Sequence, residues 1–249
     1  MPVQLDRTDR IAVITLQRAA KRNAIDAEMT ESIDHALNTF EDDDSLRVGI
    51  LTGGTEVFCA GTDLAGGSGP GTERGGEYGI IRRKCTKPLI AAVEGIAFGG
   101  GLEIALSCDL IVAARDARFG LPEVRRGVVA TSAGLFRAPR ALPLNVAREL
   151  LLTGDPIDAA RAERIGLVNR ITEPGEALAG ARALADRIAR NSPVSIRETL
   201  RAVDATVSAD DETGWRATEQ AIEGIQAGED LAEGIRAFFE KREPDWPGR

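Results

Sequence analysis

The 249-residue sequence predicts an α/β fold that ends in a helical C-terminal part. In the first half, short apolar runs such as Ile11–Leu16 and Leu89–Val93 alternate with helical patterns. This alternation is typical of a largely parallel sheet covered by helices. After about Thr131 the spacing of apolar residues is mainly helical, and one short strand at 168–171 interrupts it. We therefore divide the chain into an α/β core over residues 1–190 and a helical C-terminal region over residues 191–249.

Local patterns justify the elements in chain order. Asp26 is a typical helix-capping residue, and Ile33, Leu37 and Phe40 share one face of the helix that follows. After a strand at 48–51, residues 64–76 are glycine-rich and are predicted to form a surface loop. A helix at 79–85, strands at 89–93 and 110–113, and a helix at 101–107 complete the predicted core. Later helices are predicted at 145–152, 158–164, 175–190, 193–203, 211–226 and 230–241.

Composition and charge exclude several functional classes. No apolar run reaches the ~18 residues that cross a bilayer, so we expect no membrane association. The charged first ten residues argue against a secretory signal peptide, and three cysteines without a CxxC motif are predicted to be reduced thiols, so we expect a cytoplasmic protein. The net charge of -8 argues against bulk nucleic-acid binding, although a local basic patch is enough for a small anion.

A single histidine, His35, limits the chemistry further. A metal site built from several histidines is impossible, and a Ser-His-Asp hydrolase would have to use His35. His35 lies in an amphipathic helical pattern, which favours a structural role. We predict no metal site.

Two small-residue turns are candidate anion sites. Three glycines, Gly99–Gly101, separate a predicted strand from a predicted helix, where a ligand can approach the backbone and free N–H groups favour an oxyanion or a phosphate. The run matches neither the dinucleotide fingerprint nor the P-loop. The second turn, at 60–63, follows a strand and could also expose N–H groups. A purely structural turn is the alternative for each.

Glu103 and Glu123 are candidate acid–base residues. Each has apolar neighbours, and desolvation raises the pKa of a carboxyl group toward the range used in proton transfer. The alternatives are that Glu103 complements the helix N-terminus, and that Glu123 is a solvated carboxylate or pairs with a neighbouring arginine.

Taken in order, these segments resemble the enoyl-CoA hydratase/isomerase (crotonase) family. The similarity covers almost the whole chain, and the ordered set is far more specific than any one segment. The matching segments are RNA at 22–24, FCAGTD at 58–63, KPLIAAVEG at 87–95, FGGGLE at 98–103, CD at 108–109, FGLPE at 119–123, LTG at 152–154 and FFEKR at 238–242.

The resemblance implies a crotonase-like spiral of ββα units, with the helical C-terminal region driving formation of a homotrimer or a dimer of trimers. It implies an acyl-CoA thioester substrate and no separate cofactor, because coenzyme A is part of the substrate. The N–H groups of Thr62 and Gly100 map onto the pair that binds the thioester oxygen. Glu103 and Glu123 map onto the two glutamates of the hydratases.

Because both glutamates are present, the resemblance favours an enoyl-CoA hydratase, a lyase of fatty acid or related acyl-CoA metabolism. Glu103 would activate water and Glu123 would protonate Cα. Residues implied in substrate or CoA binding are Arg22, Ala24, Ala60, Gly61, Asp63, Leu64, Gly99 and Lys241. Loop 64–76 and helix 79–85 are expected to line the acyl pocket. The segment 128–134 lacks the proline and glycine cluster of many hydratases, which affects the expected chain-length preference.

Other functions remain open at this level. An enoyl-CoA isomerase and a carnitinyl-type dehydratase are the nearest alternatives, and the second also keeps both glutamates. A non-catalytic CoA- or RNA-binding member is an alternative of a different class, against which the net charge and the glutamate pair argue. The dehalogenase branch uses a catalytic histidine, and His35 alone makes it a poor match.

Overall fold

A computed structural model describes residues 2–207 and 210–245. Met1, residues 208–209 and residues 246–249, which include the end of the predicted C-terminal region, lie outside the described residues. The strands are β1 (Val3–Thr8), β2 (Ile11–Leu16), β3 (Val48–Thr52), β4 (Leu89–Val93), β5 (Ile96–Phe98), β6 (Leu110–Ala114), β7 (Arg118–Gly120), β8 (Ile157–Asp158) and β9 (Arg170–Thr172). The helices are α1 (Ala27–Asp42), α2 (Gly100–Ala105), α3 (Gly134–Ala141), α4 (Leu144–Thr153), α5 (Ala159–Arg164), α6 (Ala177–Ala189), α7 (Pro193–Val207), α8 (Asp211–Ala227) and α9 (Asp230–Glu240).

The strands form two sheets. A six-stranded sheet has the order β1-β2-β3-β4-β6-β9, in which only the β1–β2 pair is antiparallel. In a three-stranded sheet of order β5-β7-β8, β5 and β7 are parallel. Every residue of β3 and β4 is buried, which explains why these strands read as continuous apolar runs.

Helices cover both faces of the larger sheet. Alternate strand residues face opposite sides, so Leu51 packs in the same cluster as Ile33 of α1, whereas Ile50 packs with Ala181 of α6. The side of α1 that buries Ile33, Leu37 and Phe40 is the face expected from the sequence. Asp26 caps this helix, accepting a hydrogen bond from the Met29 N–H at 2.9 Å.

The predicted helix at 79–85 is wrong. The structure has a 3-10 turn at Glu77–Gly79 followed by turns. Gly79 has a φ of 74° and Ile80 a φ of -137°, and neither value is helical. Strands β1, β5, β7 and β8 and helix α3 were not predicted. Most of β1 is exposed, three of the strands have three residues or fewer, and α3 contains Pro139, so each lacks a clear periodicity.

The C-terminal helices contact the core in different ways. Trp215 of α8 packs edge-on against Phe136 of α3, with 5.2 Å between ring centroids. Gly234 of α9 lies against the carbonyl of Arg126, where a side chain would not fit. Helix α7 buries none of its residues. The boundary at residue 190 stays a prediction.

No helix within residues 2–207 and 210–245 is long and apolar enough to cross a membrane.

Candidate active site

Glu103 lies in the first turn of α2 and is 2% exposed. Its position is set by the preceding glycines: the Gly99 carbonyl accepts hydrogen bonds from the N–H groups of Leu102 and Glu103, which starts the helix. The Oε1 atom of Glu103 accepts hydrogen bonds from the Ser132 N–H at 2.7 Å and the Gly134 N–H at 2.9 Å. Two backbone donors therefore hold one carboxyl oxygen in place.

Glu123 lies in the 3-10 turn Pro122–Arg126, which follows β7. Its Oε1 is close to the glycine run, since a Cβ added at Gly99 would lie 3.0 Å from it. Its Oε2 is buried and has no hydrogen-bond partner within the described part of the chain. Buried carboxyl oxygens are normally paired, so an unpaired one beside a ligand-accessible turn is typical of a group that meets water or substrate.

Both carboxyl groups have raised pKa values. Burial, and then the charge of Glu123, raises the pKa of Glu103 to about 8, against the effect of its two backbone donors. Burial raises the pKa of Glu123 to about 7. The two groups therefore titrate close to neutrality and as a coupled pair, which suits one to donate a proton while the other accepts one.

The Thr62 and Gly100 amides lie on two abutting turns. Cys59 pairs with Ala97 as a parallel bridge, so the segment leading to Thr62 runs alongside the strand leading to Gly100. A Cβ added at Gly61 would lie 3.0 Å from the Gly100 nitrogen, and only glycine permits this approach. Neither the Thr62 N–H nor the Gly100 N–H donates to an acceptor in the residues described. Both remain available to a ligand oxygen.

Asn23 stabilises the segment that leads to Thr62 through hydrogen bonds. Its side-chain amide donates to the carbonyls of Gly53, Val57 and Phe58 at 3.1, 2.8 and 3.1 Å. Asn23 is fully buried, so these bonds also satisfy its polar group. The matching RNA segment at 22–24 thus has a structural role next to the site.

Most of the residues predicted to bind substrate or CoA come together. The Ala60 N–H donates to the Arg22 carbonyl at 3.0 Å, and the Ile25 N–H donates to the Gly61 carbonyl at 2.8 Å. Asp63 pairs with Arg18 at 2.8 Å, and Arg18 Nη1 also donates to the Ala24 carbonyl at 2.9 Å. The Ala65 N–H, and then Arg18, lower the pKa of Asp63.

The other predicted binding residues have different surroundings. Arg22 is exposed and forms no ion pair in residues 2–207 and 210–245, and Leu64 is 48% exposed. Gly99 lies beside Glu123, as given above. Lys241 ends α9 on the surface, and no hydrogen bond or ion pair among the described residues joins it to the Arg22–Leu64 group.

Sequence reasoning missed two polar residues at this site. Tyr78 is 5% exposed, and its hydroxyl lies 2.8 Å from Thr62 Oγ1. Ser132 is 3% exposed and supplies one of the amides that hold Glu103. Tyr78 is the only tyrosine in the chain and lies between Glu77 and Gly79 in a glycine-rich stretch, which was the one available signal.

A cavity of about 220 Å³ adjoins Glu123. It is lined mainly by apolar side chains, including Leu121, Val129, Leu135 and Leu151, and Arg148 also reaches it. This composition suits an acyl group beside two ionisable side chains, those of Glu123 and Arg148. No residue of 64–85, the segments expected to line the acyl pocket, lines this cavity.

In the described residues no group of His, Cys, Asp and Glu side chains could hold a metal ion.

Comparisons with known proteins agree with this architecture. Residues 6–249 match the family model described as enoyl-CoA hydratase/isomerase. Mevalonyl-coenzyme A hydratase sidH of Aspergillus fumigatus is 40% identical over 96% of this chain and 92% of its own length. Carnitinyl-CoA dehydratase of Salmonella heidelberg is also 40% identical, over 99% of this chain and 98% of its own.

Solved structures give the same result for the fold. The structure of EchA1_1 from Mycobacterium paratuberculosis superposes with a TM-score of 0.93 at 41% identity, covering 100% of this chain and 99% of the other. A carnitinyl-CoA dehydratase from Mycobacterium avium gives 0.94 at 42% identity with the same coverage. These neighbours confirm the predicted crotonase-like fold, and the names of the relatives confirm an enzyme of the lyase class. From residue 6 to its end, the chain belongs to the enoyl-CoA hydratase/isomerase family.

Proposed function

We propose that the protein is an enoyl-CoA hydratase, which reversibly adds water to the 2,3 double bond of a 2-enoyl-CoA thioester. The observation that carries the proposal is the pair formed by Glu103, which is buried, and Glu123, whose Oε2 atom is buried and has no partner among the described residues. Hydration needs one carboxylate to take a proton from water and one carboxyl group to supply a proton to Cα. Both pKa values lie near neutrality, where a singly protonated pair is well populated.

The proposed mechanism uses two backbone amides and two glutamates. The thioester oxygen accepts hydrogen bonds from the Thr62 and Gly100 N–H groups, which stabilise the charge that builds on it as the water oxygen bonds to Cβ. Loss of one such donor typically lowers the rate ~10²–10³-fold. By analogy with the family, Glu103 takes the proton of the attacking water and Glu123 gives its proton to Cα. The pKa of Glu103 is the higher of the two, so this reactive arrangement is the less populated form of the singly protonated pair. The reverse sequence expels water from a 3-hydroxyacyl-CoA.

Coenzyme A enters this scheme only as part of the substrate. Arg22 is exposed and is not ion-paired in the residues described, which supports a role in binding the CoA phosphates. Lys241 is exposed at the end of α9. It would bind the nucleotide of CoA only if the nucleotide reached it by a different path from the one past Arg22, or if Lys241 came from a neighbouring subunit.

The experiment is a hydration assay with crotonyl-CoA and longer 2-enoyl-CoAs, followed by loss of the enoyl thioester absorbance. We expect Glu103→Gln and Glu123→Gln each to lower kcat by about 10²–10⁴-fold, the usual contribution of a positioned acid or base. Glu94→Gln is the matched control, because Glu94 is also buried and its carboxylate accepts the N–H groups of Gly175 and Ala177 at 3.0 and 2.8 Å. It should lower stability and leave kcat unchanged. Absence of turnover for short, medium and long substrates would contradict the proposal.

A carnitinyl-type dehydratase is the second candidate, supported by relatives of that name at 40% identity. The carnitinyl group carries a trimethylammonium cation, whereas Arg148 lines the cavity, and Glu123, the other ionisable residue of the lining, is protonated and neutral in the reactive form proposed above. Two like charges repel each other, so we expect kcat/KM to be higher for a neutral acyl group than for a carnitinyl group. In Arg148→Leu, the difference in kcat/KM between these two substrates should be smaller. Faster turnover of the carnitinyl substrate by the unaltered protein would favour this second function.

A further inference from the structure

We propose that Tyr78 is an additional catalytic residue, whose hydroxyl donates a hydrogen bond to the thioester oxygen alongside the amides of Thr62 and Gly100. This inference rests on the proposed function, since it assumes that an acyl-CoA thioester binds at those amides. Tyr78 would be a third hydrogen-bond donor at the oxyanion site. It precedes both the glycine run and the two glutamates in the chain.

The position of the hydroxyl is the first observation. It lies 2.8 Å from Thr62 Oγ1, and a Cβ added at Gly100 would lie 2.7 Å from it. The hydroxyl therefore touches both residues whose backbone N–H groups are unpaired among the described residues. With the Thr62 hydroxyl donating to the tyrosine oxygen, the tyrosine proton is free for a ligand oxygen.

The chemical state of the hydroxyl suits a donor. Burial, and then the charge of Glu103, raises the pKa of Tyr78 above its usual range, and hydrogen bonds to Ser132 and Thr62 only partly oppose this. The group is therefore protonated at neutral pH. A neutral donor in a site that excludes water stabilises developing charge more than it would in solution.

The backbone of Tyr78 is the second, independent observation. Its φ of 54° and ψ of 11° place it in the left-handed region, which is unfavourable for a tyrosine. Unfavourable conformations persist where the surroundings impose them, and they cluster at functional sites.

The surroundings that impose it are visible. Gly79, the next residue, lies so close to α1 that its added Cβ would be 2.7 Å from the Asp34 nitrogen. On the other side, Glu77 accepts a hydrogen bond from Arg82 Nε at 3.0 Å. The Arg82 guanidinium in turn stacks over the ring of Trp215, 3.6 Å from its centroid. The turn that carries Tyr78 thus packs against α1, and Arg82 connects it to α8.

The test compares Tyr78→Phe with the unaltered protein. We expect kcat for crotonyl-CoA to fall about 10²-fold or more, with a much smaller change in KM, because the bond strengthens as charge develops. Thr30→Val is the control, since it removes another buried hydroxyl, which donates to the Ser68 carbonyl at 2.8 Å. It should lower Tm without a change in kcat. Equal kcat in Tyr78→Phe and the unaltered protein would overturn the proposal.

A second measurement does not depend on turnover. Acetoacetyl-CoA ionises to an enolate that absorbs in the near ultraviolet, and we expect the bound enolate fraction to be lower in Tyr78→Phe than in the unaltered protein at the same pH. If the variant fails to fold, tyrosine labelled with ¹³C at Cζ reports on Tyr78 alone, because the chain has one tyrosine. Its signal should shift when acetoacetyl-CoA binds the unaltered protein, and a bound complex with no shift would overturn the proposal. A protein that hydrates no enoyl-CoA yet shows this shift would contradict the hydratase function and keep the assignment of Tyr78.

Discussion

Gly134 constrains the carboxylate of Glu103 in two ways. Its N–H donates to Glu103 Oε1 at 2.9 Å, and a Cβ added to Gly134 would also lie 2.9 Å from that oxygen. The backbone thus approaches the carboxylate as closely as a hydrogen bond allows and leaves no space for a methyl group. The orientation of one proposed acid–base residue therefore depends on a glycine 31 residues away in the chain.

We expect Gly134→Ala to lower kcat at least about 10-fold, since small displacements of a catalytic group have large effects. The added methyl would also lie 2.7 Å from the Ala130 Cβ, and such overpacking lowers the free energy of unfolding by about 1–3 kcal/mol. Gly224→Ala on α8 is the control, because nothing lies within 4 Å of its added Cβ. It should stabilise the helix by about 0.5–1 kcal/mol and leave kcat unchanged. Normal kcat in Gly134→Ala, measured with crotonyl-CoA, would contradict this role.

The pH dependence of kcat/KM should be bell-shaped. The pKa values of Glu103 and Glu123, raised to about 8 and about 7, imply that both are protonated well below this range and both ionised well above it. Activity requires one ionised and one protonated carboxyl group, so kcat/KM should fall at both low and high pH. The two apparent pKa values of the profile belong to the pair and not to one residue. Steady-state rates between about pH 5 and pH 10 test this. A profile that is flat over that range would rule out the shared-proton pair.

Glu123 should also make stability fall as pH rises. Its pKa of about 7 in the folded protein is above the 4.5 of an unperturbed glutamate, so the folded state binds the proton more tightly. The free energy of unfolding should therefore decrease between about pH 4.5 and pH 7, by about 3 kcal/mol from this group alone. Urea unfolding of Glu123→Gln should show a smaller decrease, and exposed Glu56→Gln should behave like the unaltered protein. A steeper decrease of the free energy of unfolding with pH in Glu123→Gln would contradict the raised pKa of Glu123.

We propose that the chain assembles as a homotrimer or a dimer of trimers. Three apolar side chains of α9, Ile235, Phe238 and Phe239, are 50%, 44% and 60% exposed, which is a large apolar surface for one helix. Light scattering should give three or six times the mass of one chain. Phe239→Lys should weaken the assembly, and Arg201→Lys on exposed α7 should not. A monomer at every concentration would contradict this.

Much of the candidate site was predictable from the sequence, because its parts are local motifs. A glycine run before a helix, a turn after a strand and carboxylates with apolar neighbours are visible without any tertiary contact, and their order along the chain indicated the family. Thr62 and Gly100 were assigned as the donor pair through the family resemblance that this order indicates, and the assignment stays a prediction. Burial of β3 and β4 was likewise readable from unbroken apolar runs.

Other features depend on contacts between distant segments, and only the tertiary structure decided them. Tyr78 reaches Thr62 from a turn that packs against α1 and has a left-handed backbone at Tyr78, and no local pattern encodes that contact. The absence of a helix at 79–85 has the same origin, since Gly79, which packs against α1, has a φ of 74° that is not a helical value. Sequence patterns report which residues tend to be buried or to turn. Which atoms then meet depends on packing among elements that are far apart in the chain.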